Sequence, residues 1–159
     1  MTTVLAPQTR VLRTVDDMLL DARSMLRRVT ALEAASAATC GDALLVDIRP
    51  EAQRRTEGEI PSALVIERNV LEWRLDPCSD ASLPEARDHD VRVIVFCSAG
   101  YTSSLAAASL QELGLRRATD LVGGIQAWRE AGLPIVPGGT PTGTRTPGRT
   151  GRWATLTPD

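Results

Sequence analysis

The segment Val91-Arg92-Val93-Ile94-Val95-Phe96 constrains this chain more than any other. It is β-branched apart from Arg92 and Phe96, and so predicts a strand with apolar side chains on both faces. It runs directly into Cys97, with no turn signal between. A short loop of small and polar residues follows. Then comes an Ala- and Leu-rich stretch, Ser103 to Leu113, with no charge before Glu112. A helix apolar nearly all round is a buried helix, and Gly114 stands where a terminating glycine belongs. A buried strand feeding a buried helix through a short loop is the building unit of a parallel α/β sheet.

The same alternation extends along the chain. Ala43–Ile48, Ala63–Ile66 and Ala118–Val122 read as further short strands. Met18, Leu19, Ala22, Met25, Leu26 and Val29 follow helical spacing from Val15, with Thr14 as N-cap, Asp16 and Asp17 in the first turn, and Arg27 and Arg28 in the last. Further helices are expected over Leu32–Ala38, closed by Gly41, and over Pro50–Thr56. Another runs over Ile125–Ala131, entered through Gly123-Gly124 and stopped by Gly132 and Pro134. These readings give an α/β domain over 14–137 that includes an N-terminal helix. Residues 1–13 and 138–159 are read as flexible tails, the second rich in Thr, Gly and Pro, with Trp153 undocked. Trp128 is expected in the core, as is Trp73.

Composition narrows the function. With 159 residues, 43% hydrophobic and 24% charged, the chain is ordinary for a globular protein. A net charge of −2 gives no electrostatic case for nucleic acid or an anionic membrane as partner. All 18 basic residues are Arg, which removes any lysine Schiff-base or general-base mechanism. No apolar stretch has the length of a membrane span, and Met1 to Arg13 lacks the apolar core of a signal peptide. Cys40, Cys78 and Cys97 are widely spaced without a Cys-x-x-Cys pair. That argues for a reducing, cytoplasmic setting rather than a disulfide framework.

Chemistry concentrates at Cys97. In a parallel sheet, sites form at the carboxyl ends of strands, where helix N-termini present free N–H groups. Backbone amides from Ser98, Ala99, Gly100, Tyr101, Thr102 and Ser103 are expected to form a bowl around the sulfur, an arrangement that favours an anion such as a thiolate or persulfide. Gly100 allows the tight curvature, because glycine takes positive φ without a Cβ penalty. Tyr101 is expected to border the mouth or shield the loop. The single histidine, His89, precedes the strand; about eight extended residues at ~3.3 Å each put it roughly 20–25 Å from Cys97. A Cys–His dyad is thereby excluded. No metal ligands cluster along the sequence and no nucleotide-binding glycine loop precedes a helix, so no metal and no cofactor are expected. Cys40 and Cys78 read as incidental, with a resolving thiol at Cys78 the minor alternative.

Leu45-Val46-Asp47-Ile48-Arg49, Gly58-Glu59-Ile60-Pro61-Ser62-Ala63, the Cys97 loop, and Leu121-Val122-Gly123-Gly124-Ile125-Gln126-Ala127-Trp128 occur in that order. Together they resemble the single-domain rhodanese family over about Val29 to Pro137. The resemblance implies a rhodanese-like central parallel sheet of about five strands with helices on both faces. It implies a sulfurtransferase that holds sulfane sulfur as a Cys97 persulfide. The donor would be thiosulfate or a persulfide such as glutathione persulfide. The acceptor would be cyanide, glutathione or a protein thiol. The alternatives are a non-catalytic binding module and a redox sensor. The chain departs from the family in two places. Thr102 stands where the loop often carries an Arg linked to anionic donors, which leaves Arg49 and Arg68 as candidate substrate-binding cations. For Arg49 an ion pair with a nearby carboxylate is the stronger reading; for Arg68 the two readings stand level, with Glu67 beside it. Glu59 and Ser62 replace a family His and Gly, changes expected to be structural. Phosphatases of this fold use Cys-x5-Arg, but Ser103 occupies that sixth position.

Overall fold

A computed structural model describes residues 11–147. Its centre is a parallel sheet of four strands in the order β2-β1-β3-β4. These are β1 (Leu44–Asp47), β2 (Leu64–Val65), β3 (Val93–Phe96) and β4 (Thr119–Asp120). The count is four where about five were expected. The next position is taken by a single parallel bridge, in which Val29 pairs with Leu121.

Alternate strand residues face opposite sides, as the pleat requires. Val46, Val93 and Val95 pack with Leu71 and Leu75 of α4 (Leu71–Leu75) and with Ala106 and Leu110 of α5 (Thr102–Glu112). Leu45, Ile94 and Phe96 pack with Ala31, Ala34 and Ala37 of α2 (Ala31–Thr39) and with Ile125 and Trp128 of α6 (Gly124–Glu130). Helices therefore cover both faces, and Trp128 is in the core as expected. Trp73 is not: it is 60% exposed, because Leu71 and Leu75 occupy the inward face of α4 and leave Trp73 on the other.

The remaining helices are α1 (Val15–Met25) and α3 (Glu51–Glu57). Thr14 caps α1 in a reciprocal arrangement with Asp17. The helix ends earlier than its apolar spacing suggests. Leu26 is extended, so Arg27 and Arg28 lie beyond the last turn and Val29 reaches the sheet edge. Thr30 and Glu33 form a second capping box that starts α2. A 3₁₀ turn, Arg68–Val70, leads into α4.

The C-terminal reading needs a correction. Within residues 138–147, expected to be a loose tail, residues 143–146 lie along the outer edge of β2 and Gly139 and Thr140 dock on Glu59. The backbone of Thr144 and Thr146 exchanges hydrogen bonds with Ser62, Ala63 and Val65. Their anchor is Glu59, fully buried. It accepts hydrogen bonds from Arg54 Nη1 (2.5 Å), Gly139 N (3.0 Å), Thr140 N (3.2 Å), Thr140 Oγ1 (2.6 Å) and Thr146 Oγ1 (3.3 Å). Trp153 and the rest of that segment, like residues 1–10, lie outside the described residues.

Ser62 is the non-glycine residue at positive φ (68°) among the described residues, and it is exposed. A left-handed conformation costs an L-residue about 1–2 kcal/mol, partly offset by glycine's greater freedom when unfolded. Ser62→Gly is expected to stabilise the fold by about 0.5–1 kcal/mol, read as a higher denaturant midpoint at unchanged slope.

Candidate functional site

Cys97 follows the last residue of β3 and is half-buried. Its sulfur has two near partners. The Gly100 N–H donates to Sγ at 3.2 Å, and Sγ lies 3.4 Å from Ser103 Oγ. Gly100 adopts φ 82°, the positive value expected for it. Thr102 and Ser103 open α5, where first-turn N–H groups have no intrahelical acceptor.

The loop is braced from three directions. From α6, the Ile125 and Gln126 N–H groups donate to the carbonyls of Cys97 (2.9 Å) and Ser98 (3.2 Å). Gly124 makes this approach feasible, since a Cβ there would lie 2.3 Å from the Cys97 oxygen. The Gly123-Gly124 pair therefore does more than turn the chain: it lets a helix N-terminus touch the cysteine loop. From α3, Glu57 accepts from Ser98 Oγ (2.7 Å) and from Arg49 Nη1 (2.8 Å). Partial burial pushes the Glu57 carboxyl up, but the Ser98 hydroxyl and Arg49 draw it down further, and the net is below the usual range. From the N-terminal arm, Arg23 Nη2 (2.8 Å) and Arg28 Nη2 (3.1 Å) both donate to the Gly100 carbonyl.

Behind Ser103 lies Asp120, fully buried at the end of β4. It accepts from Ser103 Oγ (3.1 Å), Ser104 Oγ (2.8 Å) and from Arg28 Nε and Nη2 (2.8 and 3.1 Å). With Cys97 as a thiol, its S–H donates to Ser103, whose own proton goes to Asp120. With the sulfur anionic, Ser103 can turn its proton to Sγ, and Asp120 keeps Ser104 and Arg28. The pair Ser103–Asp120 can thus serve either charge state without leaving a buried acceptor unpaired.

The two cations suggested from sequence are otherwise engaged. Arg49 is buried, held by Asp47 (2.6 and 2.9 Å), Glu57 and the Gly58 carbonyl, so its guanidinium is not presented to a ligand. Burial pushes the Asp47 carboxyl up against the pull of this arginine. Arg68 pairs with Glu72 at 2.9 Å one helical turn away. The cations nearest the loop are ones the sequence did not flag, Arg23 and Arg28. Arg28 is paired to Asp120, whereas Arg23 makes no ion pair among the described residues. It lies over the Tyr101 ring (5.4 Å to the centroid) and donates to Ser104 Oγ. Tyr101 and Thr102 are exposed at the rim, and Ala99 is half-buried. No local motif marks Arg23 or Asp120; only packing of α1 on α5 brings the arm to the loop.

His89 is where the strand length put it, at the far end of β3, beside Gly114 at the end of α5. Cys78 stands next to His89, not Cys97, so a resolving role for Cys78 is overturned. All three cysteines are free. Among the described residues no helix is long and apolar enough to cross a membrane.

A parallel sheet with helices on both faces, carrying a half-buried cysteine at the end of a central strand and a loop N–H against its sulfur, defines an α/β domain with a cysteine-centred site. The chain matches the Rhodanese-like domain over residues 30–131 and belongs to that family. It is 35% identical over 117 residues to a sulfurtransferase of Allochromatium vinosum, a match covering 74% of this chain and 92% of that one. It is 31% identical over 94 residues to the thiosulfate sulfurtransferase GlpE of Actinobacillus succinogenes, covering 59% and 76%. Among solved structures, a Rhodopseudomonas palustris protein of unknown function, described as a possible tyrosine phosphatase, superposes with a TM-score of 0.72. The two are 34% identical, with 82% of this chain and 98% of the other covered.

Proposed function

We propose that this protein is a sulfurtransferase that carries sulfane sulfur as a Cys97 persulfide. The reading rests on one observation above others: Sγ lies against the Gly100 N–H and the Ser103 hydroxyl, two donors suited to a sulfur anion. Arg23, without a carboxylate partner among the described residues, adds positive charge behind the loop and offers what Thr102 does not. The Cys97 thiolate attacks the outer sulfur of the donor. The new S–S bond forms as the donor's own bond to that sulfur breaks, its electron pair leaving on sulfite or on a thiolate. An acceptor (cyanide, glutathione or a protein cysteine) then attacks the terminal sulfur, and Cys97 departs as thiolate. No external oxidant is needed.

Phosphatase chemistry, attached by name to the Rhodopseudomonas protein, is disfavoured here. The loop contains no arginine, and Ser103 fills the place of the phosphate-gripping one.

The test is intact-mass measurement of the reduced chain after incubation with thiosulfate, and separately with glutathione persulfide. We expect a one-sulfur adduct that cyanide discharges as thiocyanate. Failure of both donors to load the chain overturns the reading in favour of a binding or sensing module.

A further inference from the structure

The connection between α4 and β3 contains a second cluster of reactive side chains, remote from the cysteine loop. It folds back on itself so that Asp76, Cys78 and His89 meet, with one ligand atom from each within 4.8 Å of the others. Nothing along the sequence marks these residues as a set. They include the chain's one histidine and one of its three cysteines, brought together across a loop.

Both arms of the loop are fixed by the fold. The Cys78 N–H donates to Asp76 Oδ1 at 2.9 Å, and Leu83 N donates to Arg74 O at 2.9 Å while its side chain packs on the core. On the other arm, the His89 ring lies against Gly114, where an added Cβ would stand 3.1 Å from Cδ2. That leaves one carboxylate oxygen, a thiol sulfur and an imidazole nitrogen within 4.8 Å of one another, with Cys78 and His89 exposed and Asp76 half-buried. Around a tetrahedral zinc ion, such ligand atoms stand roughly 3.3–3.6 Å apart. Rotation of the exposed Cys78 and His89 side chains by about 1 Å closes that difference. Mixed sulfur, nitrogen and oxygen donors suit a borderline-soft cation, whereas magnesium and calcium take oxygen alone. The connection is also acidic, with Asp80, Glu85, Asp88 and Asp90 against Arg87 and Arg92.

We propose that Asp76, Cys78 and His89 bind one zinc-class divalent cation, with solvent in the fourth position. On binding, Cys78 gives its thiol proton to solvent and ligates as thiolate, and His89 ligates as neutral imidazole. The ion cross-links the two ends of a connection that has no regular secondary structure of its own.

The test uses cobalt(II) as the spectroscopic probe and the full chain carrying Cys97→Ser, so the cysteine loop supplies no sulfur. We expect saturation at one ion per chain, a thiolate-to-cobalt charge-transfer band, and displacement by zinc. Adding Cys78→Ser should abolish the band. His89→Gln should weaken affinity roughly tenfold or more, and Cys40→Ser should change neither. Zinc should raise the thermal midpoint of the Cys97→Ser chain but not of the chain that also lacks Cys78. A band that survives Cys78→Ser, an affinity indifferent to His89→Gln, or no charge-transfer band at saturation overturns the proposal. None of these readouts depends on sulfur transfer.

Discussion

A chain carrying Cys97→Ser should take up no sulfur from either donor, and thiocyanate formation should fall to background. A serine hydroxyl is a far weaker nucleophile toward sulfur and cannot hold a persulfide, so the loss is complete rather than graded. The fold should not suffer, since the side chain is half-buried and the substitution changes one atom. Ser103→Ala makes the graded comparison. It removes the hydroxyl 3.4 Å from Sγ but leaves the Gly100 N–H in place, and Asp120 retains Ser104 and Arg28. One hydrogen bond to an ionised group contributes about 1.5–3 kcal/mol, so kcat/KM should drop roughly 10- to 100-fold. The measurement is steady-state thiocyanate production. Equal rates for Ser103→Ala and the parent would remove Ser103 from the mechanism.

The second large effect is on stability. Glu59→Ala should destabilise the fold by about 3–5 kcal/mol, because it takes the close carboxylate from the buried Arg54 guanidinium and leaves it only the looser pair with Glu67 at 3.8 Å. It also strips the anchor from Gly139, Thr140 and Thr146, so protease sensitivity should appear first in residues 138–147. The pH dependence has a definite sign. Burial pushes the Glu59 carboxyl up, but the Thr140 hydroxyl, the Gly139 and Thr140 N–H groups and Arg54 together hold it below its ordinary value. A carboxyl lower in the folded than in the unfolded state stabilises above its unfolded value of about 4.3, and this contribution is lost as pH falls through the folded value. Denaturant unfolding of the parent between pH 6 and pH 3 (a range of about three units bracketing that value) should show this loss. Glu59→Ala should show a shallower slope across the same window.

Much of the fold was legible because its signals are local. β-Branched runs marked the strands, Thr14 marked a helix start, and Gly114 a helix end. Cys97 was legible because a strand, a small-residue loop and an apolar helix meet there. The missed features are long-range. Arg28 looked like the basic last turn of a helix, yet its chain has already left the helix and its charge neutralises Asp120, 92 residues on. The Thr/Gly/Pro composition of the C-terminal segment concealed its docking, which depends on one buried carboxylate and on backbone pairing that composition does not encode. Cys78 and His89 meet only because the connection doubles back. Glu59 read as a tolerated replacement, whereas it organises ten residues of chain beyond the expected domain end.

The two rims of the sheet have a consequence for anyone who trims this protein. Val29 occupies the open side of β4 by bonding Asp120 O and Val122 N, and the backbone of residues 143–146 occupies the open side of β2. Both covering segments fall outside residues 30–131, the part shared with the family. A fragment cut to those borders would keep most of its apolar interior yet lose the Arg28 partner of buried Asp120 and bare unpaired backbone donors and acceptors on each flank. Such flanks recruit strands from neighbouring molecules. In this protein Val29 and residues 143–146 act as selvedges, keeping the woven part from joining to the next piece.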